Sequence, residues 1–273
     1  MIRTPQERER TRATIASMSR KLMLSSRVVE LCESEATPRQ EEFLLKVLSE
    51  EIDRRERGRK ARLLNRAGFP TFKSFEDYDF SEIRFPPTLS IEELLRTDFI
   101  PEKKNLVLYG GVGTGKTHMA IALGIAACEK GLSVRFLTVT ELVLKLTEAY
   151  KQGTLERLIR DLKQLDLLIL DEWGYVPVDR EGSQLLFRII ADSYESKSLI
   201  LTTNLEFSKW GGIFTDEQMA AAMIDRLVHH GHLLLFEAKS YRMTHALMRQ
   251  PGPGKLKPKT TVEAGSRLEE GGA

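Results

Sequence analysis

The chain has 273 residues, of which 41% are hydrophobic and 29% charged, and its formal net charge is +2. It holds no run of about 18 apolar residues and no apolar core of a secretion signal near its start, so we expect neither a membrane span nor a membrane partner. Cys32 and Cys128 lie far apart and are expected to be reduced thiols, which together with the composition excludes a disulfide-stabilised secreted protein and predicts a cytoplasmic one.

Charge is unevenly distributed along the chain. Residues 1–66 hold 16 basic against 11 acidic side chains, and residues 249–273 hold 5 against 3. The section between them has a net charge of −5. The two terminal sections are basic and the section between them is mildly acidic. This distribution indicates a polyanionic partner that the N-terminal section contacts. Solvated charged helices would give the same pattern, and charge alone does not separate the two interpretations.

The N-terminal part is predicted to be helical after a disordered arm. Residues 1–18 have few large apolar side chains and are expected to be disordered. Apolar spacing predicts one helix over residues 19–35 and a second from Thr37-Pro38 to about residue 66. Residues 19–68 would then form a small helical domain, too short to bury a large core alone.

A connector with several aromatic residues follows, from Pro70 to Pro101. Tyr78 or Phe80 could pack on an adenine base. The pattern favours the other interpretation, in which both rings pack on the protein core.

A phosphate-binding motif stands at the centre of the chain. An apolar strand, residues 106–109, precedes G-x-x-x-x-G-K-T, and a helical pattern follows it. The glycines let backbone N–H groups face a polyphosphate, and the helix N-terminus adds its positive dipole. Lys116 would reach the β- and γ-phosphates, and Thr117 would bind Mg²⁺. We therefore expect ATP to be bound by Gly110, Gly111, Val112, Gly113, Thr114, Gly115, Lys116 and Thr117.

Beyond this motif, strands alternate with helices. Near-continuous apolar runs predict strands at 133–138, 165–172, 197–203 and 233–236. The pattern predicts an α/β fold, a parallel sheet flanked by helices. Helices are predicted at 140–150, 154–162, 181–194, 215–229 and 240–248, and the Pro/Gly-rich residues 249–273 are expected to be disordered.

Polar residues at two strand ends are candidate catalytic groups. Asp171 ends a buried strand, where it would complete the Mg²⁺ shell through water, and Glu172 could polarise the attacking water. Asn204 ends the next strand and could orient that water near the γ-phosphate. A turn-forming asparagine is the alternative for Asn204 taken alone.

Two arginines could stabilise the charge of a phosphoryl-transfer transition state, from the same subunit or a neighbour. They are Arg226, which follows Asp225, and Arg242, in Ser240-Tyr241-Arg242. The spacing of the two arginines does not assign a separate role to each. For Arg226, an ion pair with Asp225 is an alternative to a catalytic role.

Taken together, these motifs resemble the IstB/DnaC group of AAA+ ATPases. The segments Arg66–Pro70 and Phe75–Phe80 resemble its IstB branch, whose members are the ATPase helpers of insertion-sequence transposases. The resemblance covers about residues 20–248. It implies an ATPase domain over 69–248 without a separate lid domain. It also implies Asn204 as sensor 1, Arg226 as an arginine finger acting on a neighbour's ATP, and Arg242 as sensor 2.

The resemblance further implies an ATP-dependent homo-oligomer with shared ATP sites on double-stranded DNA, which brings a cognate transposase to its target. A DnaC-type helicase loader would have the same ATPase core, with residues 20–66 docking on a helicase. A nucleotide-gated DNA scaffold, in which hydrolysis is incidental, is a third possibility.

Overall fold

A computed structural model describes residues 4–174, 179–212, 214, 216–238 and 240–241. Three N-terminal helices come first: α1 Pro5–Lys21, α2 Ser26–Glu35 and α3 Pro38–Ala67. None of the helices in these ranges combines the length and the hydrophobicity needed to cross a bilayer.

The prediction that residues 1–18 form a disordered arm was wrong, because α1 begins at Pro5. Thr4 and Glu7 form a capping box at its start, and Ile15 is buried against the other helices. Glu41 of α3 is buried and forms ion pairs with Arg8 and Arg12 of α1, at 3.0 and 2.7 Å. Packing and these ion pairs therefore order a segment whose own composition is weakly apolar.

The predicted single helix over residues 19–35 is also divided. Its first residues end α1, a turn follows, and α2 begins at Ser26. In contrast, α3 is continuous for 30 residues and ends at Gly68, which has a positive φ of 77°. Its last turns pack on the α/β core, where Ala67 is fully buried. The division of the chain into a helical domain and an ATPase domain near residue 68 stays a prediction.

The α/β part is built on one sheet of six strands in the order β1-β6-β2-β5-β4-β3. All pairs are parallel except that between β1 and β6. The predicted parallel sheet is therefore confirmed, with one short antiparallel edge strand that the sequence did not suggest. The strands are β1 Ile83–Arg84, β2 Asn105–Gly110, β3 Val134–Thr138, β4 Leu167–Trp173, β5 Ser198–Thr203 and β6 Gly231–Phe236.

Helices cover both faces of this sheet. Alternate strand residues face opposite sides: Leu167 and Ile169 belong to a core shared with α5, whereas Leu168 and Leu170 belong to one shared with α6, α8 and α9. The helices are α4 Ile91–Leu95, α5 Lys116–Glu129, α6 Val139–Lys151, α7 Leu155–Lys163, α8 Arg180–Ser193 and α9 Glu217–His229, with a 3₁₀ helix at Phe207–Gly212.

Three predictions concern residues outside the described ranges. These are the helix over 240–248 beyond its first two residues, the disordered tail 249–273, and the lack of a lid domain after the last strand.

Candidate nucleotide-binding site

The phosphate-binding motif forms the turn between β2 and α5. Gly113 and Gly115 have φ values of 79° and 99°, a region that L side chains adopt only with strain. Gly115 is the N-cap of α5, so the first amides of that helix point out of the turn. The Lys116 ammonium donates to the carbonyl oxygens of Gly110 (2.9 Å) and Gly111 (2.6 Å). The N-terminus of α5 and the Lys116 ammonium therefore lie together at this turn. This arrangement suits the binding of a polyphosphate.

The side chain of Asp171 is joined to this turn. The Thr117 hydroxyl donates to its two carboxylate oxygens, at 2.9 and 3.2 Å. Asp171 is only 5% exposed, at the carboxyl end of β4. A hydroxyl and a carboxylate side by side next to a phosphate cradle are the ligand types that Mg²⁺ prefers. These residues therefore fit the predicted metal ligands.

Glu172 has a different setting from its neighbour. It is exposed, and its φ is +62°, which is uncommon for a residue with a side chain. Its N–H donates to Oγ1 of Thr202 at 3.1 Å. The β4–β5 pairing is irregular between Leu170 and Trp173, and both Glu172 and the buried Asp171 before it lie within that irregular stretch.

Thr202 is a residue that sequence analysis missed. Besides accepting from Glu172, its hydroxyl donates to Asp171 Oδ1, so it holds both acids. Asn204 follows it after one residue, exposed at the end of β5. Because β5 pairs with both β2 and β4, Asn204 lies at the same sheet edge as the turn and the two acids.

Two tyrosines outside the motif also bond to the turn. The Tyr78 hydroxyl donates to the Gly115 carbonyl at 3.2 Å, and the Tyr241 N–H donates to the Gly113 carbonyl at 3.0 Å. Tyr78 and Phe80 pack against the buried core, which agrees with the core interpretation of these rings. Burial raises the pKa of the Tyr78 hydroxyl, so it stays a hydrogen-bond donor. In the sequence, the only indication of this contact with the turn is the cluster of aromatic residues that contains Tyr78 and Phe80.

The two candidate arginines are described to different extents. Arg226 is half-buried on α9; its guanidinium donates to the Ala222 carbonyl (2.9 Å) and lies 5.3 Å from the centre of the Phe187 ring. These partners replace the ion pair with Asp225 that the sequence allowed. Arg242 lies outside the described residues, although Tyr241 before it contacts the turn.

Comparison with known proteins gives one consistent result. The family model described as "IstB-like ATP binding protein" matches residues 21–248. An insertion sequence IS21 putative ATP-binding protein of Pseudomonas aeruginosa is 39% identical over 206 residues, which are 74% of this chain and 76% of that protein. An insertion sequence IS5376 putative ATP-binding protein of Geobacillus stearothermophilus is 35% identical over 77% of this chain and 83% of that protein.

Among solved structures, the DnaC helicase loader is similar with a TM-score of 0.46 and 22% identity, over 52% of this chain and 85% of that one.

Proposed function

The chain belongs to the family of IstB-like ATP-binding proteins, and on that basis we propose that it is a P-loop AAA+ ATPase that helps an insertion-sequence transposase. The observation that carries the proposal is the joined arrangement of Lys116, Thr117 and Asp171 at the start of α5. A buried carboxylate in direct contact with a phosphate-binding turn suits magnesium-assisted phosphoryl transfer.

The proposed mechanism assigns a task to each group. The turn Gly110–Thr117 binds the phosphates, and the Lys116 ammonium moves from backbone carbonyls to phosphate oxygens. Thr117 and Asp171 would hold Mg²⁺, which would neutralise charge on the phosphates. Glu172, exposed and held by its backbone at a fixed place, polarises the attacking water. Asn204 orients that water from the next strand end.

We further propose that the site is shared between subunits of a homo-oligomer. Arg226, the proposed finger, lies on α9 against Phe187 of α8 rather than on its own phosphate-binding turn. A guanidinium that is held by Ala222 and Phe187, and that forms no hydrogen bond with its own phosphate-binding turn among the described residues, suits action on a neighbour's ATP. Arg242 would be the sensor 2 residue of the same subunit, which is supported by the bond of Tyr241 to Gly113.

Assembly on double-stranded DNA and contact with a cognate transposase complete the proposal. The names of the relatives, which are ATP-binding proteins of insertion sequences, favour a transposase over a replicative helicase as the partner. In our proposal, residues 69–248 hydrolyse ATP and the helical residues 19–68 take part in partner contacts and assembly.

One experiment tests the hydrolytic role against a scaffold in which hydrolysis is incidental. ATP binding, phosphate release and transposition with the cognate transposase are measured for the native chain, Lys116→Ala and Glu172→Gln. We expect Lys116→Ala to lose binding and Glu172→Gln to keep binding while losing hydrolysis and transposition. Full transposition by a Glu172→Gln protein that does not hydrolyse ATP would establish the scaffold instead. Absence of ATP binding by the native chain would overturn both.

A further inference from the structure

The C-terminal end of α3 concentrates positive charge. Residues 57–66 hold five basic side chains and no acidic one. All five are exposed. We name this stretch the α3 basic segment; its charged members are Arg57, Arg59, Lys60, Arg62 and Arg66.

This segment is fixed to the ATPase core. Arg59 donates to the Gly131 carbonyl at 3.1 Å, after the end of α5. Arg135 of β3 donates to the Arg66 carbonyl at 2.7 Å, and adds a sixth exposed cation beside the segment. Leu63 and Leu64 of the same turns pack against the buried core. The cations are therefore presented on a rigid surface, not on a mobile arm.

Part of this charge is offset nearby, because Arg59 and Lys60 attract the Glu56 carboxylate. Glu56, the acid just before the segment, pairs with Lys21 of α1 at 2.6 Å. Within the described ranges, no ion pair joins a member of the segment to a carboxylate. Arg59 and Arg62 are three residues apart, and Arg62 and Arg66 four, spacings at which like charges weaken a helix by a few tenths of a kcal/mol per pair. A bound polyanion would relieve this repulsion.

We propose that the α3 basic segment and Arg135 bind the phosphate backbone of duplex DNA. The inference rests on the proposed function, because it locates the DNA that the helper assembles on. Five of the six cations are arginines, whose planar forks fit phosphate oxygens. Ten helical residues extend about 15 Å, enough to follow several phosphates of one strand. The exposed residues between the cations are Ala61 and Asn65, which offer no large apolar side chain for a lipid surface.

The test replaces three members whose side chains do not tie the helix to the core. Arg57→Gln, Lys60→Gln and Arg62→Gln are combined in one full-length variant. Its control carries Lys151→Gln, Arg157→Gln and Arg160→Gln, which remove the same charge from exposed positions on α6 and α7. Affinity for a short duplex of arbitrary sequence is measured by fluorescence anisotropy over a range of salt, with a non-hydrolysable ATP analogue present. Thermal unfolding verifies that both variants are folded.

We expect the segment variant to bind at least about tenfold more weakly at low salt. The slope of log affinity against log salt should become less steep by about 2 to 3, since each phosphate contact contributes about 0.9. The control should keep the native slope.

Each contrary outcome has a distinct meaning. A segment variant with native affinity and slope would overturn this surface while leaving the proposed function intact, and so would equal losses in the control. A native chain that binds no duplex at any salt would overturn the proposed DNA partner itself. Binding to phosphatidylserine vesicles that depends on the segment, without any effect on DNA, would assign the surface to a membrane and overturn the inference.

Discussion

Thr202 holds Asp171 by a hydrogen bond from its hydroxyl to Oδ1, while the same hydroxyl oxygen accepts the N–H of Glu172. A single side chain of β5 thus contacts one acid of β4 at its carboxylate and the other at its backbone N–H. Because the two acids have different proposed tasks, one as metal ligand and one on water, their relative position is a condition for hydrolysis.

Replacement of Thr202 by valine should therefore lower kcat more than it weakens ATP binding. A hydrogen bond to a charged group contributes about 1.5 to 3 kcal/mol, which corresponds to a loss of at least about tenfold. Thr202→Ser keeps the hydroxyl and should restore most of the rate. Thr203→Val is the control, because its hydroxyl bonds to the Trp173 carbonyl and not to an acid. Steady-state ATPase assays measure kcat and KM for the three variants and the native chain. A native kcat for Thr202→Val would refute the positioning role.

Replacement of Gly115 by alanine should destabilise the protein and weaken nucleotide binding. The residue has a φ of 99°, and a Cβ there would come within 2.9 Å of the Tyr78 hydroxyl. Gly153 has a φ of 69° with nothing within 4 Å of an added Cβ, so Gly153→Ala measures backbone strain alone. We expect the larger loss of unfolding free energy for Gly115→Ala, and a smaller one when Tyr78→Phe removes the hydroxyl. Equal losses at both glycines would contradict the contact.

The shared site can be tested by mixing two inactive variants. Arg226→Ala should keep ATP binding but lose hydrolysis, and Lys116→Ala should lose binding. In a mixed assembly, the Arg226 of a Lys116→Ala subunit would act on the ATP of an Arg226→Ala neighbour, so activity should partly return. ATPase activity is measured against the ratio of the two proteins. A mixture as inactive as its components would argue that Arg226 acts within its own subunit or only supports α9.

Lys197 predicts a pH dependence of stability. It is 1% exposed and bonds to the Leu162 carbonyl, and burial lowers its pKa from 10.5 to about 8. Between these values the unfolded chain binds more protons than the folded one, so stability should rise with pH in that window. The unfolding free energy of the native chain, relative to Lys197→Met, should increase by up to about 3 kcal/mol from pH 8 to 10.5. Denaturant titrations at several pH values measure it, and a constant difference would contradict the buried-lysine assignment.

Local signals made much of this structure predictable. The Gly110–Thr117 motif needs only its own spacing and the strand and helix around it, and the apolar run ending in Asp171 was equally clear. Thr202 was not predictable, because its contact with Asp171 depends on the register of β4 against β5, in which Leu170 faces Leu201. The positive φ of Glu172 has no local sequence signal, since such a conformation normally selects glycine.

The N-terminal helix was missed for a related reason. The buried residues of α1 are Thr11, Ile15 and Ser19, a stripe at helical spacing in which two of three members are polar. Its order depends on Glu41, which comes from another helix and is recognisable only after the chain has folded. Whether a segment such as α1 is ordered therefore depends on its contacts with distant segments and not on its own composition.

The central position of β2 also has a consequence for the order of folding. Asn105 of β2 pairs with Gly231 of β6, and Leu106 pairs with Ile200 of β5. The strand that leads into the phosphate-binding turn thus has both of its neighbours far downstream. During synthesis, β2 and its turn emerge from the ribosome long before either partner strand. The nascent chain therefore cannot pair β2 on both sides until β6 has been made, so the strand before the phosphate-binding turn takes its central place in the sheet late in synthesis.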